Sequence, residues 1–170
     1  MPEPDVEHLK RQSLAYQLAA DDMSQAIAAA MALRKEQDDR NLMLALECAM
    51  AVCYMRAFTK STLMTVPRKF VPAVSRGYSE QHVELHEWFE ERRDAAYAHT
   101  DKESGRAAAV FPLEDGSGGA GWSLECVPFP RDLIDPAIEL FQLQRDKFRA
   151  KALELESQIK AFGQRSGSDA

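Results

Sequence analysis

The sequence predicts a mainly all-α fold, an antiparallel bundle of four to five helices with a small β-hairpin inserted before the last long helix. Three observations carry this. Long stretches bring apolar residues back at spacings of about one turn and are rich in Ala and Leu, the strongest helix formers. The stretch from Arg40 to about Thr59 is apolar on nearly every side, which marks a helix in the middle of a bundle. Only between about 106 and 128 does the pattern change, to short runs around glycines. At 170 residues the chain suits one domain over 1–165, followed by a disordered tail at 166–170.

The first helix is expected over Val6 to Glu36, with Leu14, Leu18, Met23, Ile27, Ala30 and Met31 as its apolar stripe. Asp21 and Asp22 either interrupt it or face water. The polar EQDDRN connects to the second helix, with Asp39 placed to cap it. The next stretch, TVPRKFVPAVSRGYS, holds two prolines and a glycine and reads as a loop or a broken short helix. Ser79, followed by Glu80, starts a third helix that runs to about Ala98, with Leu85, Trp88, Phe89, Ala95 and Ala96 on its inner face. AAAVFP and GWSLECV flank the glycine-rich EDGSGGA as two strands, too little sheet to stand without the helices. Asp135 and Pro136 then suit the cap and first turn of a long last helix. Ile134, Ile138, Phe141, Phe148, Ala152, Leu155, Ile159 and Phe162 form its seam, with Arg145 as the one gap.

Composition narrows the function classes. Cys48, Cys53 and Cys126 are odd in number and form no CxxC pair, which fits a reducing interior better than a disulfide framework. MPEPDVEHLK is acidic and polar, unlike a signal peptide, and the apolar run Leu42 to Met55 is too short to span a bilayer comfortably; a cytoplasmic protein with no membrane partner is expected. No Walker loop, GxSxG elbow or GxGxxG occurs, so no cofactor is expected. His82 and His86 stand at i, i+4 with Glu90 one turn on, a spacing that can chelate a metal. The Glu that a zincin needs beside its first His is lacking, so no metal is expected and surface histidines are the simpler reading. A net charge of −6 argues against wholesale wrapping of nucleic acid. Yet between Cys48 and Ser79 there is no acid, while Arg56, Lys60, Arg68, Lys69 and Arg76 are all basic. Such a patch can guide a polyanion, with binding that weakens steeply in salt.

The strongest chemical signal is ERRDAAYAHTD, Glu91 to Asp101. On a continuous helix Arg92 and His99 nearly eclipse, whereas Arg93 and His99 project about 120° apart. Were this helix end to open into a cleft, the cation and the imidazole could share a phosphate. The residues alone do not choose between Arg92 and Arg93.

An Arg, a polar residue, four residues and a His near the end of a late helix resemble the HEPN superfamily. RDAAYAHTD is close to the Arg-Asn-x-x-x-Ala-His-x-Asp form of its prokaryotic members, among them abortive-infection proteins and toxins, and CYMRAFTKS is similar to a segment seen in them. Arg93 is taken as the motif arginine because polar Asp94 follows it, where the family often carries Asn. The resemblance implies a HEPN-like bundle and a metal-independent endoribonuclease acting as a homodimer with a composite site. Arg93 would hold the phosphate through a forked contact, and His99 would move the proton of a ribose 2′-hydroxyl or protonate the leaving oxygen. The product would be a 2′,3′-cyclic phosphate, which requires an RNA substrate. Asp94, Tyr97, Thr100 and Asp101 are accessory candidates, and Arg56, Lys60, Arg68, Lys69 and Arg92 candidate RNA contacts. Other members of the superfamily keep the fold as scaffolds or nucleotide-binding modules, so the alternative is a catalytically inactive HEPN-like helical module for interaction or for nucleotide or RNA binding, a nucleotidyltransferase-type antitoxin being one partner that the resemblance suggests.

Overall fold

Four α-helices and one pair of strands make up the residues described by the computed structural model: 5–58, 78–92, 106–112, 118–124 and 128–166. Helix α1 spans Val6–Lys35, α2 Arg40–Arg56, α3 Glu80–Arg92 and α4 Ile134–Ser166. Strands β1 (Arg106–Pro112) and β2 (Gly118–Leu124) pair antiparallel, with Arg106 opposite Leu124 and Pro112 opposite Gly118.

Local chemistry sets the helix ends. The Asp5 side chain accepts the Glu7 N–H at 3.0 Å and starts α1. Asp21 and Asp22 do not interrupt that helix. In the α1–α2 connection one Glu36 carboxylate oxygen accepts the N–H groups of Gln37, Asp38 and Asp39, at 3.0–3.1 Å. Asp39 then caps α2 as expected, accepting from Asn41 and Leu42 at 2.9 and 3.0 Å. Ser79 caps α3, its Oγ accepting the His82 N–H at 3.3 Å. The start of α4 differs from expectation. A 3-10 turn over Arg131–Leu133 leads directly into Ile134, so Asp135 lies inside the first turn, where it meets Arg34 at 2.8 Å instead of capping.

Cross-helix contacts give an up-down-up-down course. Along α1 and α4, Ser13 lies by Ala152 and Arg34 by Asp135. Along α1 and α2, Asp22 meets Arg56 and Gln25 meets Cys53. Tyr54 of α2 reaches His86 and Phe89 of α3, and Tyr78, just ahead of α3, lies against Lys147 of α4. Each neighbouring pair is therefore antiparallel, and the short α1–α2 connection is of the length such neighbours use.

Packing explains where the sequence reading of α1 errs. Leu14, Leu18 and Met31 are exposed, while Ala19, Ala20, Ala26, Ala29 and Ala30 are buried around Met23 and Ile27. A helix wedged between two others, here α2 and α4, needs small residues over a wide arc so that the backbones can approach. The expected seam of α4 holds through Leu155, but its polar gap shifts: Gln144 is almost fully buried, and Arg145 stays at the edge beside Asp146. The interior centres on Tyr54, whose ring lies 4.8 Å from Phe141, 5.2 Å from Phe89 and 5.1 Å from Phe58. Truncating such a buried ring to Ala costs about 3–5 kcal/mol.

Losing the Asp39 cap should cost about 1 kcal/mol. Asp39→Ala is expected to lower the urea midpoint with an unchanged slope, while Asp39→Asn keeps most of the stability; equal midpoints for wild type and Asp39→Ala would remove the cap from this account.

Candidate functional site

The end of α3, which RDAAYAHTD follows in the sequence, is tied by aromatic and polar contacts. Arg92, the last residue of α3, sets its guanidinium 5.0 Å from the centre of the Trp88 ring, one turn back. Trp88 meets Phe129, ahead of α4, edge-on at 4.9 Å, and Phe129 stacks on Phe89 at 5.6 Å. Glu47 of α2 is buried beneath them, at 6% exposure. Burial pushes its carboxyl up; the Phe129 N–H that it accepts and the positive charges of Arg92 and Arg131 act the other way. Arg131 is fixed in turn by the Glu36 carbonyl oxygen and lies 3.1 Å from Met43 Sδ. Glu36, spread over three backbone N–H groups, has its carboxyl held below the usual value, mainly by the N–H groups of Asp39 and Asp38.

Of the candidate RNA contacts, Arg92 belongs to this end. Arg56 does not: it lies at the far end of α2, two and a half turns beyond Glu47, or about 13 Å along the helix. There it meets Asp22 at 2.8 Å. Asp22 is largely buried, which raises its pKa, and Arg56 offsets that rise. The structure thus separates Arg56 from Arg92 and gives Arg56 a partner within the fold. Lys60, Arg68 and Lys69 lie outside the described residues, as do Arg93, Asp94, Tyr97, His99, Thr100 and Asp101.

The two α3 histidines are not on the surface. His82 and His86 are 8% and 7% exposed, because they share the inner face with Leu85 and Phe89. His86 Nδ1 and Tyr54 Oη are hydrogen-bonded at 2.9 Å, with Phe58 edge-on to the imidazole at 4.9 Å. Burial lowers the His86 pKa despite Glu90 and Glu87 nearby, and raises that of Tyr54 well above the ordinary value, so both groups are neutral. His82 Nε2 stands 4.0 Å from Glu139, and burial pushes Tyr78 up to about 12. His82 Nδ1, Tyr78 Oη and Gln144 Nε2 are buried with no hydrogen-bond partner among the described residues. No three His, Cys, Asp or Glu side chains gather as a metal site among those residues, and no helix there is long and apolar enough to cross a membrane.

Sequence reasoning missed Glu47, Arg131 and Tyr54, and placed His86 on the surface instead of in the interior. The signals were present: Glu47 is the lone acid inside an apolar helix, and His82, Leu85, His86 and Phe89 fall at 3-1-3 spacing, one helical stripe. Comparison with known proteins adds nothing further, since no family model, no curated protein and no solved structure matches the chain.

The Tyr54–His86 pair predicts a pH dependence. The folded protein resists protonating His86, whereas the unfolded chain takes that proton near pH 6.5, the ordinary His value. Below that pH the unfolded state binds more protons, so the stability present above 6.5 is lost as pH falls toward the depressed folded value. The urea midpoint should drop between about pH 7.5 and about pH 5.5, and drop less in the Tyr54→Phe/His86→Leu double variant. An equal drop in both proteins would clear His86 of the effect.

Proposed function

We propose that the protein is a HEPN-type, metal-independent endoribonuclease whose catalytic groups are Arg93 and His99. The observation that carries this reading is the sequence RDAAYAHTD, which continues directly from the end of α3 in a chain that is mainly helical. The up-down-up-down course supports it, and the HEPN-like arrangement, with the strand pair as an insertion leaning on the helices before α4, is part of the same proposal. Arg92 supports Arg93 as the motif arginine: its guanidinium is already engaged by Trp88 and acts on buried Glu47.

In the proposed reaction an imidazole takes the proton of a ribose 2′-hydroxyl, and the 2′-oxygen attacks the adjacent phosphorus. The bond from phosphorus to the 5′-oxygen breaks, that oxygen gains a proton, and a 2′,3′-cyclic phosphate remains. Arg93 neutralises charge that builds on the phosphorane. Two motifs facing each other in a homodimer supply one imidazole to accept and one to donate. Asp94, Tyr97, Thr100 and Asp101 flank the pair, and Lys60, Arg68 and Lys69 extend the basic approach for RNA. Arg56, committed to Asp22, contributes less.

A second reading has its own observation. Leu14 and Leu18 of α1 and Leu153 of α4 are exposed, and a groove of about 250 Å³ lies between these helices over Ala20 and Ala152. A helical interaction module, such as one held by a nucleotidyltransferase-type antitoxin, would use a surface of that kind.

In EDTA the purified protein should cleave RNA, and Arg93→Ala and His99→Ala should each lower the rate by about a hundredfold or more without changing the thermal midpoint or the oligomeric state. Wild-type protein that cuts no RNA, or variants that cut as well as wild type, would leave the interaction module as the better reading.

A further inference from the structure

Leu14 and Leu18 of α1 and Leu153 of α4 are exposed on the side of the bundle where these two helices meet, Leu153 to 61%. Single surface leucines are ordinary, but these three belong to one feature of the fold. Leu153 lines the groove between α1 and α4; Leu18 directly follows the lining residue Gln17, with Leu14 one turn back. The floor holds Ala20 and Ala152, both buried, and their small side chains leave about 250 Å³ open. An apolar space of about 150 Å³ already admits a benzene ring, so a leucine fits here. Helices of 30 and 33 residues each run about 45–50 Å. Side by side at about 10 Å, they offer about the 800 Å² per partner that a stable association buries.

Charge indicates what covers this face. Asp21 of α1 and Arg149 of α4 also line the groove, and both are exposed. Because the helices are antiparallel, these two stand toward one end, while Gln17 and Glu156, hydrogen-bonded at 2.7 Å, close the other. Among the described residues no ion pair engages Asp21 or Arg149, although they share the groove. A two-fold axis parallel to the helices would set α1 of each copy against α4 of the other at the same level. Asp21 of each copy then meets Arg149 of the other, so the unlike charges pair twice, and Leu153 of each packs against Leu14 and Leu18 of the other. We infer that the α1–α4 face binds a second copy of this chain, α1 against α4, with the leucines filling the two grooves and the Asp21 and Arg149 charges fixing the register. The contact involves no residue of the RDAAYAHTD motif and does not rest on the ribonuclease reading. Where the motifs also pair, as that reading has it, the two contacts together give a tetramer.

Sedimentation equilibrium of the full chain tests the contact. The Leu18→Glu/Leu153→Glu variant should associate about a hundredfold more weakly and show half the wild-type mass, with unchanged helix content. Asp21→Arg and Arg149→Asp each set like charges against one another twice, and each should weaken association about tenfold. Mixing these two single variants in equal amounts restores both unlike pairs only across the α1-against-α4 contact. Native mass spectrometry of the mixture should then show one chain of each kind joined, with association back at the wild-type level. A wild type that is monomeric throughout, or whose mass the leucine variant leaves unchanged, overturns the proposal and leaves the face to a different protein. Charge variants that recover nothing on mixing overturn it as well. All four positions except the groove-lining Leu153 lie outside the apolar floor, and the charge variants alone decide the outcome should the leucine variant fail to fold.

Discussion

A tyrosine ring that is fully buried carries its hydroxyl into the interior with it, and Tyr54 can do so because His86 Nδ1 stands 2.9 Å away. An unpaired hydroxyl at that position would cost about 1–3 kcal/mol. With the pair formed, the ring is free to serve as the hub on which Phe58, just beyond α2, Phe89 of α3 and Phe141 of α4 pack. The hydrogen bond also fixes register, since it joins one position of α2 to one of α3. Sliding α3 by a turn would strand both polar groups in an apolar interior.

From that hub the two ends of the bundle differ. Toward the α1–α2 connection, Arg131 donates to the Glu36 carbonyl and Arg92 lies over Trp88, and the positive charges of both act against the rise that burial causes at Glu47. Toward the start of α3, Tyr78 Oη, His82 Nδ1 and Gln144 Nε2 are buried without such partners among the described residues.

What could be read from the sequence was mostly local. Asp39 and Ser79 announce the starts of α2 and α3 because a cap is a contact between residues two or three apart. The face of α1 was not legible in the same way. Its leucines look like a stripe, but the helix has neighbours on two sides, and the alanines satisfy both. The α3 histidines were read by residue type as surface groups, although their spacing with Leu85 and Phe89 already put them inside. Pairs distant in sequence, such as Asp22 with Arg56 or Arg34 with Asp135, leave no periodic trace, so nothing local marks them. The candidate site is legible as chemistry: a guanidinium and an imidazole six residues apart, residue types suited to a phosphodiester. Its geometry depends on residues 93–101, which lie outside the described residues.

The proposed reaction acts on RNA through the ribose 2′-hydroxyl. It is tested most directly by incubating the protein with an RNA oligonucleotide and with the same strand carrying 2′-deoxyribose throughout, then reading product masses. Fragments of the RNA that end in a 2′,3′-cyclic phosphate are expected, beside an intact deoxy strand. Cleavage of the deoxy strand, fragments ending in a 3′-hydroxyl, or an RNA left whole would contradict it.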